Sequence, residues 1–404
     1  MSTRTIRAAS VVVAIAMIAT TTACKPATPK AAAMRNASSI IESLPQLSGH
    51  RFPVNYLQNK QAAIYLSRTA HDNPMAGRLI FIGTTGIDVY KSTGLENGQI
   101  AVDARRSMWL SQRDADVRVG SRSGTFKRNS PAYGAASFYL KSNDGYVSLF
   151  NDRVVNNPSA YQFVAKWTKG NSFKSANIPY YFNGFGKCGN SVYGIGGSRA
   201  GTGPWPIKLF SLEFAERMTL RTLGAQDANP NNSNMVLLGD LVCLKDEVHY
   251  LWLSPASNNQ PAAVWLTSTS LSTGKSIEKK LYDAGTQETM NDSLPWWAPR
   301  STHLIGASLF FVDGRGTLRE IDLAQSRLKR ATKLKGTPTR RDVTATTSWN
   351  GGRLGILYQP DNGPATLTLY QVPSGKIISK QSLPAVTHVL ASDEALSLYD
   401  LHIW

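Results

Sequence analysis

The sequence predicts an all-β fold: a β-propeller of six to eight blades, seven preferred, preceded by a signal peptide and a short tether. Three observations predict it. Apolar and β-branched runs of about five to eight residues alternate with clusters of Gly, Asn, Asp and Pro, which is how strands punctuated by turns are written. Long stretches with a 3.6-residue apolar period are scarce. A strand–turn–strand unit also recurs, its second strand centred near residues 88, 148, 209, 265, 320, 368 and 398. A repeat of roughly 50–60 residues made of antiparallel hairpins is a propeller signature. A pair of β-sandwiches is the alternative all-β arrangement. With 404 residues, 42% of them hydrophobic, the chain can bury a sizeable core, so disorder is excluded as a description of the whole.

The N-terminus carries Arg4 and Arg7, then an apolar run through Val11, Val12, Val13, Ile15, Met17 and Ile18. That run is too short for the ~20 residues of a membrane span and fits a signal peptide, residues 1–23. It ends in Thr21-Thr22-Ala23-Cys24, which resembles the lipobox of bacterial lipoproteins at Thr22, Ala23 and Cys24, with Thr21 replacing the usual Leu. The resemblance implies that the Cys24 sulfur is acylated (palmitate-type chains) and that Cys24 becomes the mature N-terminus. Two or three acyl chains give stable anchoring where one does not. The expected location is the outer side of the cytoplasmic membrane, at the cell surface or in the periplasm. Residues 24–49 read as a tether and 50–404 as the propeller. Loss of residues 1–23 lowers the net charge of +17 by only two, so the basic bias belongs to the mature chain. Cys188 and Cys243 remain, an even pair that in an exported protein reads as a disulfide, with two separate buried thiols as the alternative.

The hairpins follow in order. Arg78–Ile82 turns into Ile87–Tyr90, and Ala136–Leu140 turns at Asn143-Asp144-Gly145 into Tyr146–Phe150. Ser191–Ile195 leads through a Gly-rich loop to Ile207–Leu212, and Glu247–Trp252 leads to Ala263–Thr267. Ser308–Val312 turns at Asp313 into Thr317–Leu323, and Arg353–Tyr358 turns at Asp361 into Thr366–Tyr370. A last strand from His388 is expected to turn into Leu396–Leu401. Outer hairpins are expected at Ser272–Lys275 and Pro373–Lys376. These turns resemble those of exported propeller repeats, although no single family is matched. Short helices are expected near Ser38–Ser43 and Ser159–Lys166. The short final repeat predicts that strands from the N-terminal part, Ala62–Ser67, complete the C-terminal ones. Such closure removes two open sheet edges.

No catalytic constellation stands out. His50, His71, His249, His303, His388 and His402 lack metal-ligand spacing, no G-x-S-x-G elbow occurs, and Gly194–Gly203 lacks the Lys of a phosphate loop. The turn residues Asp144, Asp313 and Asp361 suit backbone capping. No cofactor or metal is expected. Two basic stretches do stand out. One holds Arg327, Lys329, Arg330, Lys333, Lys335, Arg340 and Arg341 without an acid; the other runs from Arg105 to Arg128 and is offset by Asp114 and Asp116. Anionic headgroups or cell-wall polymers lie within reach of an anchored protein, whereas the compartment disfavours nucleic acid. Trp205, Trp296 and Trp297, set among prolines, are candidate contact residues.

The expected function is a lipid-anchored binding or scaffold protein for envelope protein partners or anionic envelope polymers. Anchor, tether and propeller together resemble envelope-assembly scaffold lipoproteins in architecture. The alternative is a lyase or hydrolase acting on glycans in the central funnel, which requires ionisable side chains converging from several blades.

Overall fold

The structure is a computed structural model. It describes residues 43–404 except 70–75, 104–106, 129–132, 142–143, 153–161, 170–171, 198–206, 227–235, 255, 257–259, 287–300, 339–342, 361–362 and 394. Hairpin chemistry organises the described strands into seven four-stranded antiparallel blades. Blade 1 begins with β1 (Lys60–Ser67), β2 (Gly77–Gly83) and β3 (Ile87–Ser92). Blade 2 is β4 (Ile100–Val102), β5 (Met108–Ser111), β6 (Ala115–Val119) and β7 (Gly124–Lys127). Blade 3 is β8 (Tyr133–Leu140), β9 (Gly145–Asp152), β10 (Gln162–Lys169) and β11 (Ser172–Ile178). Blade 4 is β12 (Tyr181–Cys188), β13 (Ser191–Gly197), β14 (Ile207–Phe214) and β15 (Met218–Gln226). Blade 5 is β16 (Val236–Leu244), β17 (Glu247–Ser254), β18 (Ala262–Ser270) and β19 (Ser276–Gly285). Blade 6 is β20 (Thr302–Ile305), β21 (Ser308–Val312), β22 (Thr317–Asp322) and β23 (Arg327–Lys333). Blade 7 is β24 (Val343–Asn350), β25 (Arg353–Pro360), β26 (Ala365–Gln371) and β27 (Lys376–Leu383). After the helix α1 (Pro384–Ser392), β28 (Ser397–Ile403) returns to pair with β1, from Ala62 opposite Ile403 to Ser67 opposite Ser397. The expected closure through Ala62–Ser67 is the observed one.

Middle strands are buried on both faces, which is why they read as unbroken apolar runs. Ile80 and Ile82 face blade 7, packing with Leu357, Leu367 and Ile403. Leu79 and Phe81, alternating with them, face blade 2 and pack with Met108, Leu110 and Val117. Comparable clusters fill the gaps from blade 3 round to blade 7.

The inner strands are also tied to one another at every junction. Asp400 Oδ2 of β28 accepts from the Ile100 amide at 2.6 Å, joining blades 1 and 2. Gln99 donates to the Ala135 carbonyl and accepts from the Ser137 amide, each at 3.1 Å, joining 2 and 3. Lys187 Nζ donates to the Tyr139 carbonyl at 2.6 Å between 3 and 4. Blades 4 and 5 meet through a parallel bridge, Gly186 to Leu241, and through the Cys188–Cys243 disulfide with its Cα atoms 5.5 Å apart. A Cβ on Gly186 would overlap the Leu241 carbonyl, so this close approach requires glycine. The disulfide closes 55 residues, which the chain-entropy account values at about 4 kcal/mol. Thr302 Oγ1 donates to the Asp240 carbonyl and accepts from its amide at 3.0 and 3.1 Å between 5 and 6. The His303 and Trp349 rings stack at 5.5 Å between 6 and 7. Ser348 and Asn350 bond the Ile403 backbone between 7 and 1.

Four expectations change. His388 lies in α1, not a strand: Pro384 stands in the helix's first turn and presets its φ, while Val386 and Val389 turn one face inward. Ser159–Lys166 is not helical over its described part, Gln162–Lys166, which belongs to β10. There Phe163, Ala165 and Trp167 are buried with a period of two. The proposed helix at Ser38–Ser43 lies outside the described residues, save Ser43. The hairpin reading also passed over blade 2, whose strands are only 3–5 residues long. Pro45–Leu47, within the stretch read as tether, lie along β3: the Leu47 amide donates to the Lys91 carbonyl and the Lys91 amide to the Pro45 carbonyl, both at 2.8 Å. Leu47 is fully buried.

Asp400→Ala leaves the buried Ile100 amide without its acceptor. It should cost about 2 kcal/mol, read as a lower guanidinium midpoint at unchanged slope. An unchanged midpoint would show that this junction bond contributes nothing.

Candidate functional site

The junction between blades 2 and 3 departs from the apolar filling of the others. Its buried apolar cluster is small, Ala101, Trp109 and Tyr146. Polar side chains occupy the remainder. Ser148 Oγ lies 2.9 Å from Ser111 Oγ and 3.3 Å from Ser137 Oγ, and it accepts from Trp109 Nε1 at 3.1 Å. Asp116 and Arg128 form a buried ion pair at 3.2 Å, with Arg128 over the Phe150 ring at 4.3 Å. Burial pushes the Asp116 carboxyl upward against the pull of Arg128. Burying such a pair is expensive unless both charges are well bonded, so this seam is held by polar pairing where the other junctions use apolar packing.

Toward solvent the seam opens into a shallow pocket lined by Asp103, Ser107, Arg118, Ser121, Arg122, Asp144 and Tyr146, with room for about one water molecule. Tyr146 OH faces Asp103 Oδ2 at 3.3 Å and the Ser107 carbonyl at 3.2 Å. Burial, then the Asp103 charge, raises its pKa, so the hydroxyl keeps its proton. Arg118 Nε donates to the Arg122 carbonyl, and Arg122 sits 3.8 Å from Asp144. Behind the pocket Trp109 stacks on Tyr146 at 5.0 Å, and on Phe126 and Phe173 at 5.5 and 5.8 Å. Sequence reasoning flagged Arg118 and Arg122 through the second basic stretch. It missed Asp103, Ser107 and Tyr146, which only the antiparallel register brings to that rim.

The first basic stretch is an outermost strand. Arg327, Lys329, Arg330 and Lys333 lie on β23 at the circumference of blade 6, and Lys335 follows, all exposed. A bulge opposite Glu320 brings both Lys329 Nζ (2.7 Å) and Arg330 Nε (3.8 Å) to that buried carboxylate. The acid missing from the stretch itself is supplied by β22. Burial alone would raise the Glu320 pKa; the Lys329 and Ser308 hydrogen bonds and the two cations outweigh it and hold the group below the usual range. Cys24, Trp205, Trp296, Trp297, Arg340 and Arg341 lie outside the described residues.

Apart from tyrosines, the innermost strands bear few ionisable side chains among the described residues: Asp400, His402, Lys187, Asp240 and His303. They are scattered over four blades, and most serve the junctions described above. His249, on β17, is 1% exposed, with Nδ1 2.8 Å from Ser268 Oγ. Asp313 caps its own turn, accepting from the Arg315 and Thr317 amides, and pairs with Arg319 at 2.8 Å.

Residues 55–404 match the family described as YycP, beta-propeller domain. The uncharacterised protein YycP of Bacillus subtilis (strain 168) is 21% identical over 357 residues, covering 86% of this chain and 89% of that protein. Among solved structures, apo AztD from Citrobacter koseri is similar at 8% identity and a TM-score of 0.45, over 85% of this chain and 97% of that one. BamB from Moraxella catarrhalis is similar at 11% identity and a TM-score of 0.42, over 84% and 88%.

Burial lowers the His249 pKa from 6.5 to about 4. The folded ring therefore stays neutral where the unfolded chain takes up a proton. Stability from this group is full above about pH 6.5 and falls by up to roughly 3 kcal/mol as pH drops towards 4. Unfolding midpoints of wild type and His249→Gln at pH 7 and pH 5 check this: wild type should lose more. Equal losses would mean that His249 does not set the acid response.

Proposed function

The chain belongs to the YycP β-propeller family, and on that premise we propose that it is an exported, lipid-anchored binding propeller that holds a protein partner at the bacterial envelope. The observation that carries this reading is the use made of the inner strands. Most of their ionisable side chains among the described residues join blade to blade, as Asp400 does with Ile100 and Lys187 with Tyr139. A funnel enzyme acting on glycans needs such groups free and convergent. A rigid ring with its inner polar groups engaged instead suits recognition by loops at its rims. Anchoring rests on the lipobox-like Thr22-Ala23-Cys24 and the short apolar run before it.

Fractionation of cells carrying wild type or Cys24→Ala, with mass analysis of the mature N-terminus, tests the reading. Wild type should sediment with membranes and carry acyl chains on Cys24, and the variant should be released. Cross-linking in intact envelopes should capture one stoichiometric protein partner with wild type and lose it with the variant. An unmodified Cys24 would overturn the anchor, and a membrane-bound wild type with no partner would overturn the scaffold role.

A further inference from the structure

We infer that the outer edge formed by β23 and β27 docks on an anionic lipid surface, so that the propeller stands edge-on to the membrane holding its anchor. The inference rests on the lipid-anchored reading above and adds the orientation and the partner chemistry.

Outer strands elsewhere in the ring supply a control within the molecule. An exposed edge strand invites pairing with another chain, and a lysine or arginine is a common guard against it. On blades 2, 3 and 4 the outer strands β7, β11 and β15 carry one cation each: Lys127, Lys174 and Arg221. On blade 5, Lys279 and Lys280 of β19 are balanced by Glu278 and Asp283. β23 carries four cations and β27 two, and neither strand contains an acid. Glu320 answers Lys329 and Arg330. Arg327, Lys333, Lys376 and Lys380 are exposed, and no ion pair to them occurs among the described residues. Edge protection accounts for one cation per strand and leaves this excess.

The two strands form one surface. The turn before β27 reaches β23, where a Cβ on Gly375 would stand 3.0 Å from Thr332 and 3.1 Å from Leu334. Between Lys376 and Lys380 the side chain of Ile378 is 50% exposed, an apolar group among cations, as interfacial lipid-binding surfaces carry.

Continuity with the anchor selects a lipid surface over a free polymer. Blade 7 adjoins blade 1, and on blade 1 the described chain begins, with Pro45–Leu47 laid along the outer strand β3. Cys24 is 21 residues before Pro45, a span of at most ~70 Å. The described chain therefore joins the ring on blade 1, in the sector next to the acid-free edge. An acyl anchor beside a basic patch is the two-signal arrangement that makes membrane attachment stable, each cation adding to the attraction.

The test uses full-length Cys24→Ala protein, so that acylation contributes nothing. Its binding is measured on vesicles of phosphatidylcholine alone and with about 30 mol% phosphatidylglycerol. Binding should require the anionic lipid and weaken with salt. It should fall about tenfold or more in Arg327→Gln/Lys333→Gln/Lys376→Gln/Lys380→Gln. Lys127→Gln/Lys174→Gln/Arg217→Gln/Arg221→Gln, in which Arg217 is the exposed residue just before β15, removes the same charge elsewhere and should bind as before. A dye on Ile378→Cys should shift to the blue on anionic vesicles, and one on Phe173→Cys, across the ring, should not. Equal loss in both quadruple variants, or no preference for anionic lipid, overturns the proposal. Stronger binding to a soluble polyglycerol phosphate than to vesicles overturns it in favour of a polymer. Acylation is read separately by mass analysis, so failure of the docking edge and failure of the anchor are distinguishable.

Discussion

The pairing of β28 with β1 is the constraint on which the ring depends. It joins residues more than 300 positions apart, Tyr65 opposite Asp400 and Ile64 opposite Leu401. Without it, blade 1 loses its innermost strand and two sheet edges open. The same strand also fixes its neighbours. Asp400 reaches the Ile100 amide of blade 2, and the Ile403 backbone is held by Ser348 and Asn350 of blade 7. One seven-residue strand thus sets the register of three blades. Loop closure over such a separation is entropically costly, and the apolar cluster around Ile64, Ile80, Leu401 and Ile403 offsets it.

With the ring closed, the middle strands are covered on both faces, and function is left to rims and circumference. The circumference is uneven. Pro45–Leu47 cover the edge of blade 1, a single cation guards each of blades 2–4, and blades 6 and 7 present a basic edge without acids. The rim is uneven too. Between blades 2 and 3 the packing turns polar around Ser148 and the buried Asp116–Arg128 pair, and a pocket opens above. Local departures from an otherwise consistent design are where function is expected.

Much of this was legible in the chain. Runs such as Leu79-Ile80-Phe81-Ile82 are apolar throughout because both faces of the strand are buried, and their spacing revealed the repeat. The Cys188–Cys243 disulfide matches the expectation raised by an even pair of cysteines. Blade 2 was not legible, because Arg113, Asp114, Asp116 and Arg118 interrupt strands too short to show a pattern. Nothing local announces that Asp116 and Arg128 neutralise each other in the interior. Glu320 was hidden in the same way: its pairing with Lys329 and Arg330 depends on a bulge in the β22–β23 register. In α1, Val386, Val389 and Leu390 fit either a strand or a helix, and Pro384 decides for the helix.

Native-state amide hydrogen exchange tests the central claim most directly, with β28 and β1 compared against buried middle strands far from the closure. If the closure holds the ring as one cooperative unit, the amides of Ile64, Leu401 and Ile403 exchange only through global unfolding, at the slow limit shared with Leu251 and Val264 of blade 5. If β28 instead exchanges orders of magnitude faster than blade 5, blade 1 opens on its own, and the ring does not depend on its seam.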